Sequence, residues 1–166
     1  MTFTGSHVDL DRTCVMGLTA LDEDRAAVEA LARDAGGTPV WIAEADRVVY
    51  HAALAHGANH LVTVLNQALD LLRSIGAQDP SAILAPLVGA AVSNTLAYGD
   101  AALTGPVARG DAGTVCEHLA AIEDPQIAAT YAALARATVA RAHADGRIDD
   151  AAAASLGAVL TPEPVR

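Results

Sequence analysis

Val-Val-Tyr-His-Ala-Ala-Leu-Ala-His-Gly-Ala-Asn-His-Leu-Val-Thr-Val-Leu-Asn-Gln-Ala-Leu-Asp-Leu-Leu, residues 48–72, is the stretch on which the fold turns. Between Asp46 and Ile75 there is no proline, and Gly57 is the only glycine. Val48, Ala52, Ala55, Val62, Leu65, Leu69 and Leu72 recur at helical spacings. That period marks one face of an α-helix. The segment therefore predicts one helix of about thirty residues, about 45 Å long at 1.5 Å per residue. Downstream, Asp79 and Pro80 open a helix in which Ile83, Leu87, Ala90 and Ala91 are expected to face a core, with Pro86 kinking it or confining its first turn. Asp111 caps a helix to about Ile122, Asp124-Pro125 starts another to about Asp145, and Asp149 or Asp150 starts a short last one.

Upstream the period changes. Residues 13–20, Thr-Cys-Val-Met-Gly-Leu-Thr-Ala, form a short apolar run that reads as a buried strand. Asp22 opens a helical pattern with Ala26, Val28, Leu31 and Ala32 on one face, closed by Gly36-Gly37, and Pro39–Ala43 reads as a second strand. Strand, helix and strand in about thirty residues make one βαβ unit of a parallel sheet. Two strands are too few to stand alone. That shortage suggests that the sheet continues in residues the chain does not contain or is completed by another subunit, and the expected fold is mainly α, a βαβ unit followed by a helical body from residue 46.

Composition excludes several functions. The formal net charge is −10, and the arginines are spread singly, so no basic patch exists for a nucleic-acid backbone. No lysine is present, which removes Schiff-base chemistry, a phosphate-loop lysine and an ammonium general acid. Proton chemistry must use His, Asp, Glu or Tyr. Cys14 and Cys116 are too few and too differently placed for a disulfide framework, and the first seven residues have neither the basic start nor the apolar run of a signal peptide. A cytoplasmic location follows. The uncharged segment 81–99 contains Pro86, Ser93 and Asn94 and reads as a buried helix, not a membrane span.

The chemistry-bearing positions are few. His51 and Asn59, eight residues apart on the long helix, can line one groove, or can equally be polar groups satisfied at a subunit interface. His56 and His60 stand at i and i+4, but no glutamate follows the first and no third ligand is evident, so no metal site is expected. Asn94 lies within an apolar helix and calls for a partner or a ligand. Leu-Thr-Gly-Pro-Val-Ala-Arg-Gly-Asp, residues 103–111, gathers the Thr104 hydroxyl, the amides around Gly105 and Pro106, the Arg109 guanidinium and the Asp111 carboxylate, a set that can hold a small anion. The same residues also fit a tight turn, a surface ion pair and a helix cap. Cys116, Glu117 and His118 are adjacent, and adjacent helical residues do not converge, so they are discounted as a catalytic group.

Residues 50–61, Asn94 and the 103–111 segment together resemble a Rossmann-like oxidoreductase family whose second half is a domain of unknown function, number 2520. The likeness spreads over most of residues 1–140, and Thr-Phe-Thr-Gly at 2–5 is similar to a segment late in that family's nucleotide domain. The family in turn resembles the 6-phosphogluconate, β-hydroxyacid and ketopantoate reductases. The resemblance implies that residues 1–45 are the tail of a nucleotide-binding domain, a βαβ remnant truncated at its N-terminus, and that residues 46–166 are a helical substrate and dimerisation domain like the C-terminal domain of 6-phosphogluconate dehydrogenase. In those enzymes a lysine and an asparagine on the first long helix face the substrate. By this likeness His51 stands at the lysine position, Asn59 at a downstream asparagine position, and Ala55 where some members carry another asparagine.

The expected function is thus the C-terminal portion of an NAD- or NADP-dependent reductase of a small keto acid. The cofactor belongs to the full-length protein and is not expected to bind this chain tightly. His51 and Asn59 would be catalytic, and Asn94, Thr104, Gly105, Pro106, Arg109 and Asp111 would bind a small carboxylate. The free pKa of histidine, about 6.5, suits a proton donor near neutral pH. The expected partners are a second copy, through the helical domain, and the substrate, with no nucleic acid and no membrane. The alternative is a helical dimerisation or regulatory module without turnover.

Overall fold

A computed structural model describes residues 14–161. The Thr-Phe-Thr-Gly stretch at 2–5 and Thr13 lie outside the described residues. The fold is mainly helical, with a small parallel βαβ element first. The chain divides into two compact units, the first running to Leu61 and the second from Val62.

In the first unit β1 (Val15–Leu18) pairs in parallel with β2 (Thr38–Trp41), Val15 opposite Thr38 and Leu18 opposite Trp41. A 3-10 turn (Asp22–Asp24) leads into α1 (Arg25–Asp34), the crossover that a parallel pair requires. Gly36, at φ +84°, ends it, as the Gly-Gly pair predicts. Ala32 is buried, but Leu31, expected on the same inner face, is exposed. Trp41 fastens α1 to β2: its indole N–H donates to the Glu29 carboxylate at 3.4 Å, and the Arg25 guanidinium lies 3.9 Å from its ring centre. The Thr19 hydroxyl donates to the Ile42 carbonyl at 2.8 Å, tying together the carboxyl ends of the two strands. After a second 3-10 turn (Glu44–Asp46) comes α2 (Arg47–Leu54).

The long helical segment forms, but not as one regular helix. A π-helical turn (Ala55–Asn59) separates α2 from α3 (His60–Ser74). An inserted wide turn resets the angular spacing, so a 3.6-residue count does not carry across it. In the second unit α4 spans Pro80–Tyr98, with the Asp79 carboxylate accepting from the Ala82 amide and the helix continuing through Pro86.

The expected burial of α4 is overturned. Ile83 is 49% exposed, Leu87 66% and Leu96 84%, and Ala90 and Ala91 are exposed as well. The segment Pro80–Ala108 is long and apolar enough to cross a membrane by length and composition. Its apolar residues circle the helix instead of forming a stripe, so no single face selects a core.

The core of the second unit lies further on. A 3-10 turn (Gly99–Ala102) leads to α5 (Gly105–Ala108), α6 (Ala112–Ala121), α7 (Pro125–Ala144) and α8 (Asp150–Leu160). Val107, Val115, Ala135, Ala142, Ile148, Leu156 and Leu160 pack together there. Asp111, Asp124 and Asp149 cap the last three helices through their side chains, as their positions predict. Gly110 joins α5 to α6 at φ +76°, and a Cβ there would lie 2.9 Å from the Ala152 Cβ on α8. Only glycine allows both the turn and the close approach.

Candidate functional site

In the first unit a cavity of about 340 Å³ opens at the carboxyl ends of β1 and β2. Parallel strands place ligands at that end, where the turns diverge. Leu18, Val28 and Ile42 supply apolar wall, and Thr19, Arg47, Tyr50 and His51 supply polar groups. Arg47 opens α2 and His51 follows one turn later, so the two side chains share a helix face with Cβ atoms about 5–6 Å apart. Tyr50 lies over β1 because residue 17 has no side chain; a Cβ on Gly17 would meet the Tyr50 hydroxyl at 2.7 Å. Among the described residues Arg47 has only a loose ion pair with Glu44, at 3.7 Å and in solvent, which leaves its guanidinium available.

Asn59, expected to share a groove with His51, falls in the π turn and is not among the residues lining this cavity. Nearby, the Nδ1 atoms of His56 and His60 face each other at 3.3 Å, one ring donating to the other. No group of three or more His, Cys, Asp or Glu side chains placed to hold a metal ion occurs among the described residues.

The other candidate residues belong to the second unit. Thr104 is extended, Gly105 takes φ +88°, and Pro106 stands in the first turn of α5. Arg147 braces the approach to this turn by donating to the Leu103 carbonyl at 2.8 Å and the Ala101 carbonyl at 2.9 Å. Asp111 accepts from the Thr114 amide at 3.0 Å and the Thr114 hydroxyl at 2.7 Å. These bonds, with help from the charges of Arg109 and His118, hold its carboxyl below the usual value of 3.8 against a smaller opposing effect of desolvation. Arg109 itself is exposed at the end of α5. Asn94, expected to have a partner or a ligand, is exposed on α4, and its side chain makes no hydrogen bond among the described residues.

Thr104 and Pro106 line a second cavity of about 310 Å³ together with His118 and Tyr131. The sequence discounts His118, because Cys116 and Glu117 beside it on one helix do not converge with it. Its partner is Tyr131 on α7, whose hydroxyl lies 2.9 Å from His118 Nδ1. Only the packing of α6 on α7 reveals that pair. Arg47 and Thr19 were also missed, since neither belongs to a recognisable spacing.

The turn after β1 tests whether the βαβ unit can cradle a dinucleotide. It reads Thr19-Ala20-Leu21 and then Asp22-Glu23-Asp24. A pyrophosphate needs glycines and the bare amides of a helix start, and three carboxylates there repel it. These residues do not fit the phosphates of a nicotinamide cofactor.

Residues 14–138 match the family described as a domain of unknown function, DUF2520. The chain belongs to this family. The match takes in β1, the His51 cavity, α4 and the Thr-Gly-Pro turn, so both candidate sites lie within the DUF2520 region. Neither the curated proteins nor the solved structures contain a match to the chain.

Proposed function

We propose that the chain is the C-terminal, substrate-gripping portion of an NAD- or NADP-dependent oxidoreductase acting on a small keto or hydroxy acid, ketopantoate being a candidate by analogy alone. The observation that carries this reading is the placement of Arg47 and His51, one turn apart, on a single cavity at the carboxyl ends of two parallel strands. The guanidinium holds the carboxylate through paired N–H donors. The His51 imidazole donates a proton to the carbonyl oxygen as charge develops there, and recovers it in the hydroxy-acid direction. The Tyr50 and Thr19 hydroxyls border the same space and can orient the substrate.

Arg109 with the amides around Gly105, in the second unit, is the alternative group proposed to hold a carboxylate. The nicotinamide belongs to the parent protein, since the βαβ turn here does not suit its phosphates. A homodimer through the helical domain and a cytoplasmic setting without nucleic acid complete the proposal. A second reading, a dimerisation or regulatory module without turnover, is favoured by the uncovered apolar surface of α4.

Steady-state kinetics on the parent protein separate the two. His51→Gln retains hydrogen bonding but lacks the transferable proton, so kcat should fall by about 10²- to 10⁴-fold. Arg47→Ala or Arg109→Ala should mainly raise KM, and the larger rise identifies the residue that holds the carboxylate. Near-normal kcat in His51→Gln across pH 6 to 9 would place the proton donor elsewhere.

A further inference from the structure

The cavity beneath the Thr-Gly-Pro turn has the build of a ligand site in its own right. Its floor is apolar, formed by Pro106, Val107, Leu134 and Ala135, and its volume of about 310 Å³ admits a small organic body. Polar groups occupy only part of its wall. The Thr104 hydroxyl makes no cap bond to α5, so it has hydrogen-bonding capacity to spare. Tyr131 and His118 meet edge-on, rings 83° apart, with Oη and Nδ1 at 2.9 Å.

That couple can serve either kind of ligand oxygen. A phenol carries one proton and can also accept, and a neutral imidazole carries one proton on either nitrogen. If Nδ1–H donates to Oη, the phenol proton is left for a ligand carbonyl. If the phenol donates to Nδ1, its oxygen accepts from a ligand hydroxyl. Burial raises the Tyr131 phenol above its usual 10.0, so it keeps its proton at neutral pH. No arginine lines the cavity, and Arg109 and Asp111, which both lie outside it, carry opposite charges.

We propose that this cavity binds a small uncharged organic molecule with an apolar body and one hydroxyl or carbonyl oxygen, that oxygen being met by the Tyr131–His118 couple and by Thr104. The inference is independent of the His51 reading and involves no covalent step.

Methyl-resolved NMR of the full chain tests it with cyclopentanone, cyclopentanol and cyclopentanecarboxylate, which share one ring and differ in the head group. The ketone and the alcohol should give saturable shifts at the methyls of Thr104, Val107, Leu134 and Ala135, and the carboxylate should bind at least about fivefold more weakly, the worth of one hydrogen bond. Tyr131→Phe should weaken the ketone by a similar factor. Leu134→Trp, a substitution at a half-exposed position that fills the cavity, should abolish the response to all three probes. Absence of saturation with the ketone and alcohol, equal binding of the carboxylate, or an unchanged response in Leu134→Trp would overturn the proposal.

Discussion

The Asp111 carboxylate is already occupied in the folded chain. Each of its oxygens accepts one bond from Thr114, at 3.0 and 2.7 Å, so its first task is to start α6. The consequence for pH follows from the sign of its shift. The folded carboxyl titrates below 3.8, lower than in the unfolded chain, so its contribution is fully present above about pH 4. It is lost as pH falls through the folded value. Asp111→Asn keeps a neutral capping oxygen at every pH. Thermal melts from pH 2.5 to 7 should therefore show the gap between the natural protein and Asp111→Asn closing below about pH 4. A gap that stays constant would assign the cap no charge component. Residue type and position made this cap legible in the sequence, as they did those of Asp79, Asp124 and Asp149. The His118–Tyr131 bond was illegible, because nothing local says which helix α6 meets.

At the scale of elements, the joints are where single substitutions should tell most. Gly110 and Gly113 lie three residues apart and answer oppositely to a methyl group. Gly110→Ala sets a side chain at φ +76° and drives its Cβ to 2.9 Å from Ala152, which should cost about 1–3 kcal/mol. At Gly113, inside α6, the nearest atom to a new Cβ is Asp111 Oδ1 at an ordinary 3.6 Å. Gly113→Ala should be neutral or stabilise by up to about 1 kcal/mol, through helix propensity and a less disordered unfolded chain. Urea unfolding of the two variants checks both signs; destabilisation by Gly113→Ala would mean that α6 packs more tightly than its geometry indicates. Helix periods made α1, α3 and α6–α8 legible, since each has caps or a sided pattern. The π turn at 55–59 was not, because a period fitted through Gly57 cannot register one wide turn. The exposure of α4 was missed for a different reason: apolar residues on all sides satisfy a buried helix and an uncovered one alike.

For the molecule as a whole, α4 sets the main physical demand. Ile83, Leu87, Val92, Leu96 and Tyr98 all stand in solvent on one helix that carries no charge from Pro80 to Tyr98. We propose that this apolar surface is covered by a second copy of the chain. Light scattering at micromolar concentration should give a dimer mass, and Leu87→Glu, which leaves the α5–α8 core untouched, should shift it to monomer. A monomer mass for the natural chain would remove this proposal. The parallel strand pair and its crossover were legible as a βαβ unit, but the cavity at its carboxyl end was not, because the sequence reading placed the site on the helices alone. The presence of Arg47 in it depends on where the 3-10 turn at 44–46 delivers α2, which no spacing encodes.

The central claim, that Arg47 and His51 together grip a small oxo acid, is tested most directly by NMR of the His51 imidazole during titration of the chain with oxamate, a planar analogue of a 2-oxo acid. The account predicts a saturable change at His51 that weakens at least about tenfold in Arg47→Ala, the loss of one charge-assisted contact. A His51 signal indifferent to oxamate, or one that responds with equal affinity in Arg47→Ala, would contradict it.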